Sequence, residues 1–194
     1  MARKQTASQR SPRLAQRLDS AIWIEAALDA LADGGVEAVR VEPLAKALDV
    51  TKGSFYWHFA DRRALIDAML ESWSAGRIAA IRQQSGGTGS PDMRLRHLAE
   101  LYTRHGNMRG LAIELSIRAL ARSDAAAADA VRAVDSERLK QVGQLFGALG
   151  WTPSDAQARA VLFYSYLFGE SLLDAKAVTT RARDIAIRAL LAPP

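Results

Sequence analysis

The residues best suited to chemistry in this chain run from Thr51 to Phe59: Thr51-Lys52-Gly53-Ser54-Phe55-Tyr56-Trp57-His58-Phe59. They are hydrogen-bond donors set among aromatic rings, which is the equipment for recognising an anion. Thr51 is placed to cap a short helix, which leaves the next amides free to face a phosphate. Lys52 and Ser54 fall on the first turn, within reach of base edges or phosphates. Gly53 lets a backbone approach closely. Tyr56 and His58 can donate to phosphate oxygens while their rings wedge the helix in place. Trp57 either meets a base or packs. Phe55 and Phe59 face the core.

Catalysis finds little support elsewhere. Cysteine is absent, which removes disulfides, thiolate metal sites and cysteine nucleophiles. The histidines are His58, His97 and His105, and the chain has neither His-Glu-x-x-His nor Glu-x-x-His. His97-x-x-Glu100 has one-turn spacing in the reverse order and reads as part of a surface helix. No glycine-rich phosphate loop follows a strand. The expectation is a protein that is not an enzyme and that uses no cofactor and no metal.

Charge supports an anionic partner. The net charge is +5 over 194 residues, and its placement matters more than its size. Residues 1–18 hold Arg3, Lys4, Arg10, Arg13 and Arg17 and no acid. Each such cation placed on a phosphate releases condensed counterions, although a solvated tail has the same composition. No apolar run approaches the ~18–20 residues that span a bilayer. The basic N-terminus lacks the apolar stretch of a secretory signal. A cytoplasmic protein with no membrane partner is expected.

The elements that must position Thr51–Phe59 are helices. Alanine and leucine are abundant and proline is scarce, which favours helix. Asp19 and Ser20 offer caps for a first helix with Ile22, Ala26, Leu28 and Leu31 at helical spacing, ended by Gly34-Gly35. Pro43 is tolerated only in a first turn, so the next helix begins near Arg40–Val41 and runs to Leu48. Asp49-Val50 makes a tight turn. Thr51 opens a helix through Phe59, and Asp61 caps a long one to about Gln83. Residues 84–91, QSGGTGSP, are the clearest break. Helices are then expected near 91–105, 108–122, 124–149, 153–176 and 179–191, with Gly106, Gly110, Gly150 and Pro153 between them and Asp124, Ser154 and Thr179 as caps. The fold class is all-α. Leu44, Ala45, Leu48, Val50 and Phe55 form a small apolar set joining two short helices, which is helix-turn-helix geometry.

From Gly34 to Leu65 the sequence resembles the tetracycline-repressor (TetR) family. The resemblance rests on Gly34-Gly35, Leu44-Ala45, Asp49-Val50-Thr51, Tyr56-Trp57-His58-Phe59 and Arg62-Arg63-Ala64-Leu65. It implies a sequence-specific transcriptional regulator, usually a repressor, with a three-helix helix-turn-helix domain joined to a helical bundle that dimerises and binds an effector. Under it Arg62 matches a phosphate-binding cation, so the DNA-binding set becomes Arg40, Thr51, Lys52, Gly53, Ser54, Tyr56, Trp57, His58 and Arg62. Three departures stand out. Arg40 occupies a position usually held by a capping Thr, losing ~1 kcal/mol of cap but gaining a cation that can reach a phosphate. Glu42-Pro43 replaces residues that are often polar or basic. Asp49 replaces the turn glycine, and Asp tolerates left-handed geometry better than most residues.

The domains expected are a basic arm over 1–18, a DNA-binding domain over 19–65 and an effector-binding and dimerisation domain over 66–194. RGLAIELSIRALARSD and VDSERLKQVGQLFGALGW look like a helix-rich subgroup of the same family. Residues 158–173, ARAVLFYSYLFGESLL, are apolar on nearly every face, and a helix without a polar face must be buried all round. Pairing across a twofold solves this, with Leu162, Phe163, Tyr166, Leu167, Ile187 and Leu190 at the interface. The partners expected are a second copy of the chain, a pseudo-palindromic double-stranded DNA operator and a small-molecule effector. A protein partner in place of the effector is the alternative. The effector would bind among the helices at 62–83, 91–105, 108–122 and 124–149, where Trp73, Leu101, Tyr102, His105, Leu115 and Val142 are candidates that also suit a plain core. Glu114 and Arg118, at i,i+4, suggest an ion pair.

Overall fold

Helix caps set most of the boundaries in this fold. The computed structural model describes residues 19–103, 107–173 and 178–192, without the Thr103 side chain. Every regular element among them is helical: α1 (Ser20–Gly34), α2 (Val41–Ala47), α3 (Lys52–Phe55), α4 (Arg62–Ser85), α5 (Pro91–Thr103), α6 (Met108–Leu120), α7 (Ala125–Ala148), α8 (Pro153–Leu172) and α9 (Thr180–Leu190), with a 3-10 turn over Val36–Ala38. The all-α expectation holds. The expected arm over 1–18 and His105 lie outside the described residues.

Asp61 accepts from the Ala64 amide at 2.8 Å, Asp124 from Ala127 at 3.0 Å and Thr179 from Ala182 at 3.2 Å. Each satisfies a donor that the first turn would otherwise orphan. The cap of α8 is Thr152 rather than Ser154, because Thr152 precedes the N1 proline and bonds the Asp155 amide. Asn107 caps α6 through the Gly110 amide at 2.8 Å. At the other end of α1, Gly35 takes φ 68°, and its amide closes on the Leu31 carbonyl. Asp49 adopts φ 55° between α2 and α3, the left-handed turn expected of it.

The helix opened by Thr51 is shorter than expected. It ends at Phe55, whose carbonyl takes the amides of both His58 and Phe59 at 2.9 and 3.0 Å. Tyr56, Trp57 and His58 therefore stand in the turn behind the recognition helix rather than on it.

Two apolar cores hold the helices. The first gathers Trp23 and Leu31 from α1, Leu44 from α2, Phe55 from α3, Leu65 and Met69 from α4, and Ile113, Ile117 and Val134 from α6 and α7. The N-terminal helices thus share a core with the body, and α4 runs unbroken across residues 65 and 66. The second core packs Leu95, Leu98, Val142, Phe146, Phe163 and Leu167 from α5, α7 and α8. The most extensive helix contacts are α7 with α8 and α7 with α4, so α7 is the spine that joins the cores. Among the described residues no helix is long and apolar enough to cross a membrane.

Candidate functional site: nucleic-acid interface and body cavities

The turn after α3 stands on an aromatic base. Phe55 is fully buried and meets Trp23 edge-on at 5.3 Å and Phe59 at 5.4 Å. Phe55 and Phe59 face the core, as expected. Burying these rings pins the turn, and the side chains between them are driven outward. Tyr56 is 55% exposed and Trp57 77%, and His58 is exposed as well. Two large aromatic residues held in water by a rigid support mark a surface that gains by being covered.

Around them the other expected contacts divide. Arg40 and Gly53 are exposed. Thr51 is the N-cap residue of α3 with extended backbone, but its side chain makes no capping bond, which corrects the role expected for it. Lys52 is exposed and paired with Glu42 of α2. Their hydrogen bond holds the Glu42 carboxyl below its ordinary range and the Lys52 ammonium above its own. The Glu42 that departs from the usual pattern therefore engages the recognition-helix lysine directly. Ser54 is buried at 6% exposure, facing inward with Phe55, so it does not present its hydroxyl outside.

Arg62, expected to meet a phosphate, has partners within the chain. Its Nε donates to the Val39 carbonyl at 2.6 Å and its Nη2 donates to the Val36 carbonyl. The half-buried guanidinium clamps the start of α4 to the segment that leads into α2. The Val36 carbonyl also accepts from the Val39 amide at 3.2 Å, closing the 3-10 turn, and a cation with several donors serves both carbonyls at once.

The body holds two neighbouring cavities on either side of Phe168. One, of about 240 Å³, is bordered by Arg77 and Gln84 of α4, Leu101 and Tyr102 of α5, Met108, Leu111 and Glu114 of α6, and Phe168 and Glu170 of α8. The other, of about 380 Å³, lies between Leu115 and Arg118 of α6, Asp135 and Arg138 of α7, and Val161, Tyr164 and Leu172 of α8. Leu101, Tyr102 and Leu115, named from sequence, line these cavities. Trp73 and Val142 do not: both are packed into the apolar cores.

A charged cluster separates the cavities. Arg138 is 1% exposed and grips both oxygens of buried Glu114 at 2.7 Å. Arg118 reaches Glu114 at 2.9 Å, as the i,i+4 spacing suggested, and Asp135 at 2.6 Å. Burial pushes the Glu114 carboxyl up, but the hydrogen bonds and charges of Arg138, Arg77 and Arg118 outweigh it and leave the group below its ordinary value. Burial likewise works against the Arg138 cation, and Glu114 and Tyr102 more than restore it. Sequence reasoning missed Arg138 and the contribution of α8. A signal was present: Arg138 sits between Val134 and Val142 in an i,i+4 stripe whose other members are buried, and a cation in such a stripe needs a buried carboxylate.

The residues expected at the twofold face divide. Phe163 and Leu167 point into the second core at 1% and 0% exposure. Tyr166, Ile187 and Leu190 are half-buried, and Leu162 is exposed. The outward stripe of α8 is Val161, Leu162, Ser165, Gly169 and Leu172, with Ile185 exposed on α9.

Residues 24–69 match the family of bacterial regulatory proteins, tetR family. The tetracycline repressor protein class A from transposon 1721 of Escherichia coli is 44% identical over 52 residues, which are 27% of this chain and 24% of that repressor. The chain therefore matches about a quarter of the length of this relative. Across the body the likeness is one of fold. A transcriptional regulator from Rhodococcus sp. Rha1 superposes with a TM-score of 0.73 at 18% identity, covering 90% of this chain and 94% of that one. A regulator from Saccharomonospora viridis in complex with choline superposes with a TM-score of 0.71 at 16% identity, covering 88% and 92%. Residues 24–69 thus carry the N-terminal helix-turn-helix segment of the tetR family of bacterial regulatory proteins, set on a body whose fold is that of these solved regulators.

Proposed function

We propose that this protein is a DNA-binding transcriptional regulator that holds a pseudo-palindromic operator as a homodimer and changes its grip when a small molecule enters the body. The observation that carries the reading is the exposed Tyr56-Trp57-His58 turn, pinned by Phe55 and Phe59 directly behind α3, within the matched segment. Residues 19–65 are the DNA-binding part, with Arg40, Lys52, Tyr56, Trp57 and His58 as contacts. Residues 66–194 receive the effector and the second copy, and the chain acts in the cytoplasm as a repressor. The Saccharomonospora viridis regulator in complex with choline supports a small molecule as the signal.

The exposed stripe of α8 with Ile185 of α9 supports a twofold contact, since apolar side chains along one helix face gain by mutual burial. Such a dimer presents two recognition helices about one DNA turn apart. Coupling between the sites runs through α6. One face of α6 lines both cavities through Met108, Leu111, Glu114 and Leu115. The other face packs Ile113 and Ile117 in the first core, and Arg109 bonds Asp29 at 2.5 Å and Glu25 at 2.9 Å on α1. A ligand that moves α6 therefore moves the helix on which the recognition unit is built.

Fluorescence anisotropy on the protein's own promoter region, at two salt concentrations with unrelated DNA as competitor, tests the reading. Tight, salt-sensitive binding that resists the competitor upholds it. Binding abolished by the competitor across a genome-wide selection of sites overturns it.

A further inference from the structure

We infer that the 240 Å³ cavity takes a small organic acid, with its carboxylate on Arg77, an apolar body against Leu101, Met108 and Phe168, and a hydrogen-bond donor on Glu170. The inference rests on the regulator reading and names the class of molecule that reading requires.

Charge accounting around the cavity favours an anion. The charged residues of its lining are Arg77, Glu114 and Glu170, and the two carboxylates are bonded from outside that lining, Glu114 by Arg138 and Arg118 and Glu170 by Arg183. The surplus cation is Arg77. Arg138 and Arg118 have carboxylate oxygens at 2.7 and 2.6 Å, and Arg183 has Glu170. Among the described residues Arg77 has a distant Glu114 oxygen at 3.8 Å and the Tyr102 hydroxyl at 3.3 Å, and its buried Nε has no partner. A planar guanidinium with donors left over on a cavity wall is suited to a carboxylate, which it can grip with two parallel bonds.

Glu170 adds the second requirement. It is 4% exposed, and Arg183 occupies its Oε1 at 2.7 Å, while the buried Oε2 has no partner among the described residues. A buried carboxyl oxygen without a partner is costly, and a hydroxyl or amide N–H on the ligand relieves it. An organic cation is disfavoured, although two carboxylates line the cavity. Glu114 and the Oε1 of Glu170 are already held by arginines, and the Phe168 ring is taken as well. The guanidinium carbons of Arg118 and Arg138 each lie 5.0 Å from the centre of the Phe168 ring, so an incoming ammonium meets resident cations where an aromatic cage would otherwise receive it. Volume limits the body of the acid: 240 Å³ is below the roughly 300–1,000 Å³ of drug-sized sites, which suits one ring or a short branched chain.

The test is binding to the full chain, by thermal melting and calorimetry, of a panel of one-ring and branched-alkyl acids, each beside its amide and its amine. Phenylacetate, phenylacetamide, phenethylamine and the hydroxy acid mandelate are included. The expected result is that acids raise the melting temperature and bind at least about tenfold tighter than their amides and amines, the scale of one charged hydrogen bond. Mandelate should exceed phenylacetate. Arg77→Gln should still melt cooperatively but lose the preference for acids, and Arg77→Lys should recover part of it. Amines binding as well as acids, no acid in the panel binding, or Arg77→Gln keeping the preference would overturn the inference. Because no DNA enters these measurements, an acid that binds through Arg77 yet leaves promoter binding unchanged upholds the ligand class and counts against the regulatory reading instead.

Discussion

Replacing Arg62 by alanine separates two roles that look alike in sequence. Arg62 sits where a phosphate-binding cation is expected, yet its Nε and Nη2 are bonded to the carbonyls of Val39 and Val36. A hydrogen bond from a charged donor contributes roughly 1.5–3 kcal/mol. Two of them give about 3–6 kcal/mol, but the Val36 carbonyl keeps its bond from the Val39 amide and removing the half-buried side chain opens room for water, so about 2–3 kcal/mol is expected to be lost. In a chain of this size each kcal/mol moves the melting temperature by ~2–4 °C, so the variant should melt about 4–12 °C lower. Circular dichroism gives that number, and an anisotropy salt series below the transition gives the other. A phosphate contact removed from duplex DNA lowers the slope of log K against log salt by about 0.9. The clamp predicts a large fall in stability with the slope of the folded protein unchanged, and Arg62→Lys should keep little of the stability because it cannot fork to both carbonyls. An unchanged melt together with a slope lower by about 0.9 would refute the clamp and return Arg62 to the DNA.

Three further outcomes are expected. Trp57→Ala should weaken operator binding by more than about tenfold while moving stability by no more than ~0.5 kcal/mol, read by anisotropy and melting, because the ring is 77% exposed. Leu162→Glu should yield a folded monomer by light scattering, whereas Phe163→Ala should cost about 3–5 kcal/mol, since only the second of these neighbours is buried. Glu137, held by hydrogen bonds from Arg82 and Gln141, titrates at about 2 rather than 4.5. A depressed carboxyl contributes its stability in full above the unfolded value and loses it as pH falls. The stability gap between wild type and Glu137→Gln in urea should therefore hold at neutral pH and shrink between about 4.5 and 2, and a gap constant across that range would contradict the bond.

Much of this architecture was legible from local chemistry. Helix starts at Asp61, Asp124 and Thr179 depend on a side chain and an amide three residues on, and the glycine at Gly35 answers to its own φ. The inward face of Phe55 and Phe59 could be read for the same reason, whereas the end of the helix at Phe55 and the exposure of Trp57 could not. The site could be read as far as residue types go. It was not legible where a side chain's partner came from a distant part of the chain, as for Arg62 and Arg138.

Sequence by itself therefore determined the helical class, the recognition segment and the inward face of Phe55 and Phe59, because these follow from periodicity, caps and spacing within a few residues. Tertiary structure alone decided the rest. Arg62 turns to carbonyls more than twenty residues earlier, and Ser54 is covered by the packing of α3. α8 is apolar on so many sides that no periodic pattern distinguishes Phe163 from Leu162, and only its contact with α7 selects the face that is buried. Arg138 joins Glu114 across α6 and α7. In each case the free energy lies in a partner that becomes a neighbour only once the helices have packed.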